Sequence, residues 1–516
     1  MIYKPSTGKF KDNCVLWHDG RYHLFSMYAR GGEGYRNVWS AVSEDGVHFK
    51  DVGPVIANAP FFIWAMAVWK VKNRFYMNHG SFDARGKQNI LRFWESADLV
   101  HWTYMGESAD VGPDPRWYDP NSRLDCMNVL PVVQGARTRY YGYATGPGGF
   151  LESNDGIHWR GMAPPVIDWG EIGPPPTPKE EGGLEVGGCE VIDGRYYLLG
   201  GWFNYMGAYG YGVYTLVGDT PTGPFRPDVA AYRLCGNSSR WVALWARYCR
   251  TNDELLVSSY MYDGHSYERG QTWLPPLKKA VVDQGRHLRL GYWKGNDTLK
   301  GKPVDIDLGR CFAVHPAEPA QAPAATQSPK PHRLPAFARV KGNRMEIEAS
   351  PERPSYAHFG VRTAIVALSN TFDLDKGVVL EGTIQATCRD RRLVAPGVGF
   401  YLEHGDHEGT AIMLETYGLT RIGRLTRSKD VRFDFEDITG PGCATVAGIA
   451  PHRPHAFRLL VRKNMYELYV DDRLVQTYNT TYAPGGIGAT PRRLGFIVQN
   501  GLGIFQDVRA WQMSLA

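Results

Sequence analysis

The chain has 516 residues, more than one ordinary core holds and enough for two domains, one of them large. Hydrophobic residues make up 43% and charged residues 22%, an ordinary globular balance, and a net charge of +5 with no basic run argues against a nucleic-acid partner. No apolar stretch approaches the length of a membrane span, and eight cysteines are too sparse for a disulfide framework, so buried free thiols are expected. The opening "MIYKPSTGKFKDN" lacks the apolar core of a signal peptide, which predicts a cytoplasmic protein, or a secreted one if the chain has been trimmed.

Along the chain a pattern recurs. "LWHDGRYHLFSMY" (16–28), "VWKVKNRFYMNHG" (68–80), "VVQGARTRYYGYATG" (132–146), "VIDGRYYLLGGW" (191–202) and "RTNDELLVSSYMYD" (250–263) each read as apolar run, short polar turn, apolar or aromatic run. That is the hairpin signature. Aligned on Tyr22, Phe75, Tyr140, Tyr196 and Leu255, the steps are 53, 65, 56 and 59 residues. A second motif follows the first three hairpins: "SEDGVHF" (43–49), "SADLVHW" (96–102) and "SNDGIHW" (153–159), a tight turn between a third and a fourth strand whose histidines are structural. Five units of about four strands predict an all-β fold, a five-bladed β-propeller over residues 1–313. An aromatic content of 13%, with 15 Trp and 29 Tyr, suits such a β-rich fold and also sugar-binding surfaces.

Residues 314–335 carry six prolines from Pro316 to Pro335 and predict an extended linker. Beyond them, short alternating segments such as "RMEIEAS" (344–350), "GVGFYLEH" (397–404) and "RLGFIVQNG" (493–501) predict a lectin-like C-terminal β-sandwich over 336–516, with "VDDRL" (470–474) a tight hairpin turn. Its expected role is to brace the propeller, and an oligomer contact would form through it. No metal or other cofactor is expected: there is no HExxH and no CxxC pair, and "GDHEGT" (405–410) reads as a polar turn.

In a propeller the innermost strand of each blade starts near the central channel. Counting back from the hairpin turn, Asp12 lies eight residues before Gly20, Asp125 ten before Gly135 and Glu185 nine before Gly194. Three carboxylates at matched offsets on three blades predict one pocket. Two carboxylates across a pocket are what glycoside hydrolysis needs, an acid for the leaving oxygen and a partner that attacks the anomeric carbon or activates water. Trp64 and Trp241 are candidate aromatic walls against a sugar, as is Trp39. Arg123 and Arg240 are candidate donors to hydroxyls or a substrate carboxylate, and Asn13 would steady the carboxylate beside it. His79 is expected as a satisfied strand-end residue, and Glu180, Glu181 and Glu190 are rival acids.

The order of the three acids resembles the five-bladed propeller glycosidases, above all glycoside hydrolase family 32, grouped with families 43 and 68. "FKDNCVLWHDGRYHLF" (10–25) is similar to that family's WMNDPNG segment and its trailing strand. "SRLDCMNVLP" (122–131) is similar to its RDP motif, and "LEVGGCEVIDGRYYLL" (184–199) to its EC motif. The acids are kept while their neighbours differ: no Pro-Asn-Gly follows Asp12, Leu124 and Cys126 flank Asp125, and Val186 follows Glu185. "WLPPLKKAVVDQGRHLRLGYW" (273–293) resembles the closing propeller segment, so the likeness, sandwich included, spans nearly the whole chain.

The resemblance implies Asp12 as nucleophile, Glu185 as general acid/base with a raised pKa, and Asp125 as the group that binds sugar hydroxyls in the transition state. The implied partner is an oligosaccharide or glycoside with a terminal furanose, cleaved with retention. Two alternatives stand beside it: an inverting arabinofuranosidase or xylosidase of the family 43 type, and a carbohydrate-binding propeller without turnover.

Overall fold

The computed structural model describes residues 1–31, 34–82, 89–146, 149–175, 184–203, 211–236, 243–263, 271–314, 334–349, 356–358, 361–387, 396–405, 408–415, 420–425, 434–437, 449–479 and 491–515. Helix within them is limited to three short 3-10 turns; the rest of the regular structure is antiparallel strand. Two compact units result, one on Met1–Tyr262 that closes at Asn296, the other over Asp297–Leu515.

The first unit is a five-bladed propeller. Blade 1 pairs Lys9–His18, Arg21–Ala29, Asn37–Ser43 and Lys50–Ile56 in chain order; blade 2 does the same with Trp64–Val71, Arg74–Phe82, Asn89–Ser96 and Trp102–Tyr104. Blade 3 is Asp125–Gln134, Arg137–Thr145, Gly149–Ser153 and Arg160–Met162. Blade 4 opens with Glu185–Ile192, Arg195–Phe203 and Tyr211–Gly218, and blade 5 with Ala243–Arg250 and Leu255–Tyr262, followed by Lys278–Val282 and Leu288–Tyr292. The five innermost strands contact one another in sequence and the fifth contacts the first, so the ring closes. Residues at the N-terminus fasten that closure: the amide of Ile2 donates to the Leu274 carbonyl and the amide of Leu274 to that of Tyr3, at 2.8 Å each.

The blades stack face to face because both faces of each sheet are apolar. Phe25, Met27, Met66, Phe75 and Met77 fill the space between blades 1 and 2. Trp69, Phe93, Met127 and Leu151 fill the next, and Tyr143, Phe150, Leu198, Tyr214 and Phe225 the one after. The six described cysteines are buried free thiols.

The second unit is a two-sheet sandwich. One sheet contains Arg344–Glu348, Leu502–Met513, Val378–Thr387, His455–Arg462 and Met465–Val470; the other contains Val361–Leu368, Arg493–Gln499, Gly397–Gly405 and Glu408–Glu415. Phe496 stacks on Phe505 with ring centroids 4.0 Å apart and Phe400 meets Phe457 at 4.8 Å, so aromatic rings join the two sheets. Asp471 and Asp472 both have positive φ, 48° and 58°, as the two-residue turn "DD" requires.

The boundary differs from the one read at residue 313. Lys300–Val304 pairs with Leu502–Met513, and Cys311–Ala313 with Val361–Leu368. These two strands therefore belong to the sandwich, which begins about forty residues before 336, at Asp297. Composition marks the prolines, but strand pairing decides ownership. Residues 315–333 of the expected linker lie outside the described residues.

Candidate active site

Each innermost strand of the propeller is broken by a bulge near its start. Register skips between Lys11 and Cys14, Trp64 and Met66, Val186 and Gly188, and Leu244 and Arg247, and between the partners of Asp125 and Met127. Four of the bulges hold a non-glycine residue in the left-handed region: Asp12 at φ 49°, Ala65 at 45°, Cys126 at 42° and Trp245 at 56°. Such a kink costs about 1 kcal/mol or more and re-aims the side chains around it. In blade 4 Gly187 and Gly188 take the bulge.

The acids are therefore not equivalent in register. Asp12 sits on its bulge, Asp125 immediately before Cys126, and Glu185 two residues before Gly187. They nonetheless meet, and Arg123 joins two of them. Its Nε donates to Asp125 Oδ2 at 2.6 Å and its Nη1 to Glu185 Oε1 at 3.1 Å, bridging blades 3 and 4. Asp12 stands close enough for its charge to act on both other carboxyls. The Asp125 side chain is 1% exposed and that of Glu185 11%.

Two glycines make the approach feasible. A Cβ on Gly80 would fall 2.1 Å from the Cβ of Asp125, and one on Gly146 would fall 1.9 Å from the Arg123 carbonyl oxygen. Next to Glu185, the Val186 amide donates to Thr145 Oγ1 at 3.0 Å, which fixes where the strand starts.

Burial sets the electrostatics. Desolvation raises the pKa of Glu185; Arg123 opposes this, while Asp12 and Asp125 add to it, and the net shift is upward. Asp125 is also raised, by desolvation first, against the pull of Arg123. Tyr211 hydrogen-bonds the Glu185 carboxyl and Tyr260 the Asp12 carboxyl. Lys11 is buried with its ammonium 4.9 Å from the Trp64 ring centre, and its pKa is lowered by desolvation although the three acids pull it up.

The supporting residues divide. Arg123 is in the cluster. Trp64 is half-buried, edge-on to Tyr35 at 6.3 Å, and both flank Lys11 and Asp12. Asn13 is fully buried and its Nδ2 donates to the Ser259 carbonyl of blade 5, so it ties blades 1 and 5 together. Trp39 is likewise structural, donating to the Tyr3 hydroxyl at 2.9 Å. Arg240 and Trp241 lie outside the described residues, as do Glu180 and Glu181. His79 is a core residue; its Nδ1 meets the Gly80 carbonyl at 2.8 Å, its Nε2 accepts from Trp94, and burial lowers its pKa to about 4. Glu190 accepts from Arg250 at 2.6 Å, away from the cluster.

Lys11, Tyr211 and Tyr260 escaped the sequence reading. Lys11 adjoins a singled-out acid and was within reach of it. The tyrosines lie on second and third strands, whose channel ends no local pattern marks. Among the described residues no group of three or more His, Cys, Asp or Glu is arranged to hold a metal ion.

No protein-family model matches the sequence, and no curated protein matches it. Solved structures do. The chain is similar to an exo-inulinase from Aspergillus awamori, with a TM-score of 0.62, 14% identity, and 100% of this chain and 97% of that one covered. The family 32 β-fructofuranosidase of Bombyx mori gives a TM-score of 0.61 at 12% identity, covering 100% and 93%. Fructan 1-exohydrolase IIa from Cichorium intybus gives 0.61 at 12%, covering 100% and 97%. The chain thus has the fold of the family 32 structures, a propeller followed by a sandwich, as its motifs led one to expect.

Proposed function

We propose that the protein is a glycoside hydrolase that releases a terminal furanose-type sugar, of the β-fructofuranosidase kind, with retention at the anomeric carbon. The observation that carries this reading is Arg123, which holds Asp125 and Glu185 from separate blades at 2.6 and 3.1 Å beside Asp12. Its fold is that of an exo-inulinase, a β-fructofuranosidase and a fructan 1-exohydrolase.

The chemistry follows from the environments. Glu185, raised by burial, carries the proton for the glycosidic oxygen. As that C–O bond breaks, a carboxylate oxygen of Asp12 bonds to the anomeric carbon. The leaving group departs with the proton, and Glu185, now ionised, stays beside the Arg123 guanidinium. Water then gives a proton to Glu185 and its oxygen displaces Asp12, which regenerates both groups. Asp125 takes sugar hydroxyls and faces the positive charge that develops on the ring.

The test is Glu185→Gln, assayed on sucrose, inulin and a panel of aryl glycosides. Turnover should fall by about 10³-fold or more while the circular dichroism spectrum is unchanged. Full activity in that variant rejects the assignment. Proton NMR of the first-formed anomer separates retention from the inverting arabinofuranosidase or xylosidase chemistry of family 43. Sugar binding without hydrolysis of any glycoside would leave a carbohydrate-binding propeller instead.

A further inference from the structure

Arg247 is the largest fully buried side chain in the described structure, 1% exposed, on the innermost strand of blade 5. Its Nη1 donates to the Met66 carbonyl on blade 2 and its Nη2 to Cys126 Sγ on blade 3. In a ring of five, blades 2 and 3 lie across the axis from blade 5, so the side chain spans the channel. Met66 and Cys126 each belong to a bulge region: Met66 follows Ala65, and Cys126 is itself the left-handed residue next to Asp125.

A buried guanidinium is costly unless its charge is compensated. Among the described residues Arg247 forms no ion pair, and both its Nε and Asp125 Oδ1 lack a hydrogen-bond partner. Its face lies 4.9 Å from the Trp245 ring centre, a weak offset. An apolar side chain of similar length would fill the same space at lower cost. What Arg247 supplies instead is a tie on the residue that aims Asp125, together with a positive charge near it.

We infer that Arg247 is a positioning residue: it locks the Cys126 bulge from across the channel and thereby fixes the direction and ionisation of Asp125. This rests on the glycosidase reading only for its kinetic consequence. The groups facing Asp125 are Arg123 on its own blade, Asp12 and Lys11 on blade 1, Glu185 with Tyr211 on blade 4, and Arg247 on blade 5. Blade 2 presents the side-chain-free Gly80. Of the cations, Arg123 bonds the carboxylate directly, and Arg247 acts on it from the channel side and favours its ionised form.

Two neutral variants, Arg247→Met and Arg247→Gln, and the charge-keeping Arg247→Lys test this. The acid limb of kcat/KM should move to higher pH by about half a unit to one unit in the neutral variants, because Asp125 loses a neighbouring cation. In Arg247→Lys the limb should stay near wild type while kcat falls about tenfold, since one ammonium cannot hold Met66 and Cys126 together. A second readout needs no turnover: the carboxyl ¹³C titration of Asp125, assigned with Asp125→Asn, should move with the limb. An unmoved Asp125 titration in a folded neutral variant overturns the inference even if the protein hydrolyses nothing. If neither neutral variant folds, an Arg247→Lys protein with wild-type kcat and wild-type Asp125 titration overturns it.

Discussion

Gly80 has no room for a side chain, and the reason is Asp125, whose Cβ would lie 2.1 Å from any Cβ placed there. On the proposed glycosidase reading, Gly80→Ala should therefore displace Asp125 and lower kcat by about 10²-fold, while circular dichroism shows an intact propeller. Glu185 gives a prediction of opposite sign for stability. Its pKa in the folded protein is raised, chiefly by desolvation, so folding favours its protonated form. The carboxyl is then least costly below the unfolded value of about 4.3 and progressively destabilises the fold as pH rises through the folded pKa. Glu185→Gln should accordingly melt no lower than wild type at pH 7, and the difference should vanish below about pH 4 by scanning calorimetry. If Glu185 is the proposed general acid, activity should also fall on the alkaline side as it loses its proton. The residue type and its place before a strand were legible; the bridging contact with Arg123, sixty-two positions away, was not.

Among the elements, the repeated turn was read correctly from sequence because its chemistry is local. Asp45, Asp98 and Asp155 each accept from the amide three residues on, at 2.8 to 2.9 Å, and from Nδ1 of the following histidine at 2.6 to 2.7 Å. Burial pushes Asp45 up, but these bonds from His48 outweigh it and hold the carboxyl well below its usual range. The stability it contributes is present above the unfolded pKa of about 3.9 and is lost as pH falls. Asp45→Ala should cost about 1–2 kcal/mol in urea unfolding at pH 7, and the deficit should shrink toward pH 2. The channel bulges are the opposite case. Ala65, Cys126 and Trp245 carry no preference for the left-handed region and Asp12 only the mild one of aspartate, so blade 4, with its Gly187 and Gly188, announces its bulge most plainly. The acids were found by counting from the turn, and the counts of eight, ten and nine hid a real difference in register.

At the scale of the whole molecule, the sandwich is defined by pairing partners. Lys300–Val304 lies on Leu502–Met513 and Cys311–Ala313 on Val361–Leu368. A fragment spanning 297–516 should fold cooperatively, whereas one spanning 336–516 should unfold at clearly lower urea concentration or fail to fold, because two paired strands are missing. Equal midpoints for the two fragments would show that these strands are dispensable. Ring closure is likewise non-local: Ile2 and Tyr3 bond Leu274 across most of the propeller's length.

The sequence by itself determined the all-β class, the five-fold repeat, the turn boxes and which acids stand where inner strands begin. Each is encoded in short segments and their spacing along the chain, by alternation and turn chemistry. Only the tertiary structure decided that Arg123 would link two blades, that Asn13 would face blade 5, that Arg247 would cross the channel, and that the sandwich would claim residues 300–313. Those outcomes depend on distances between segments tens to hundreds of residues apart. Closure of a ring and pairing of distant strands fix such distances, and no local preference in the chain carries them.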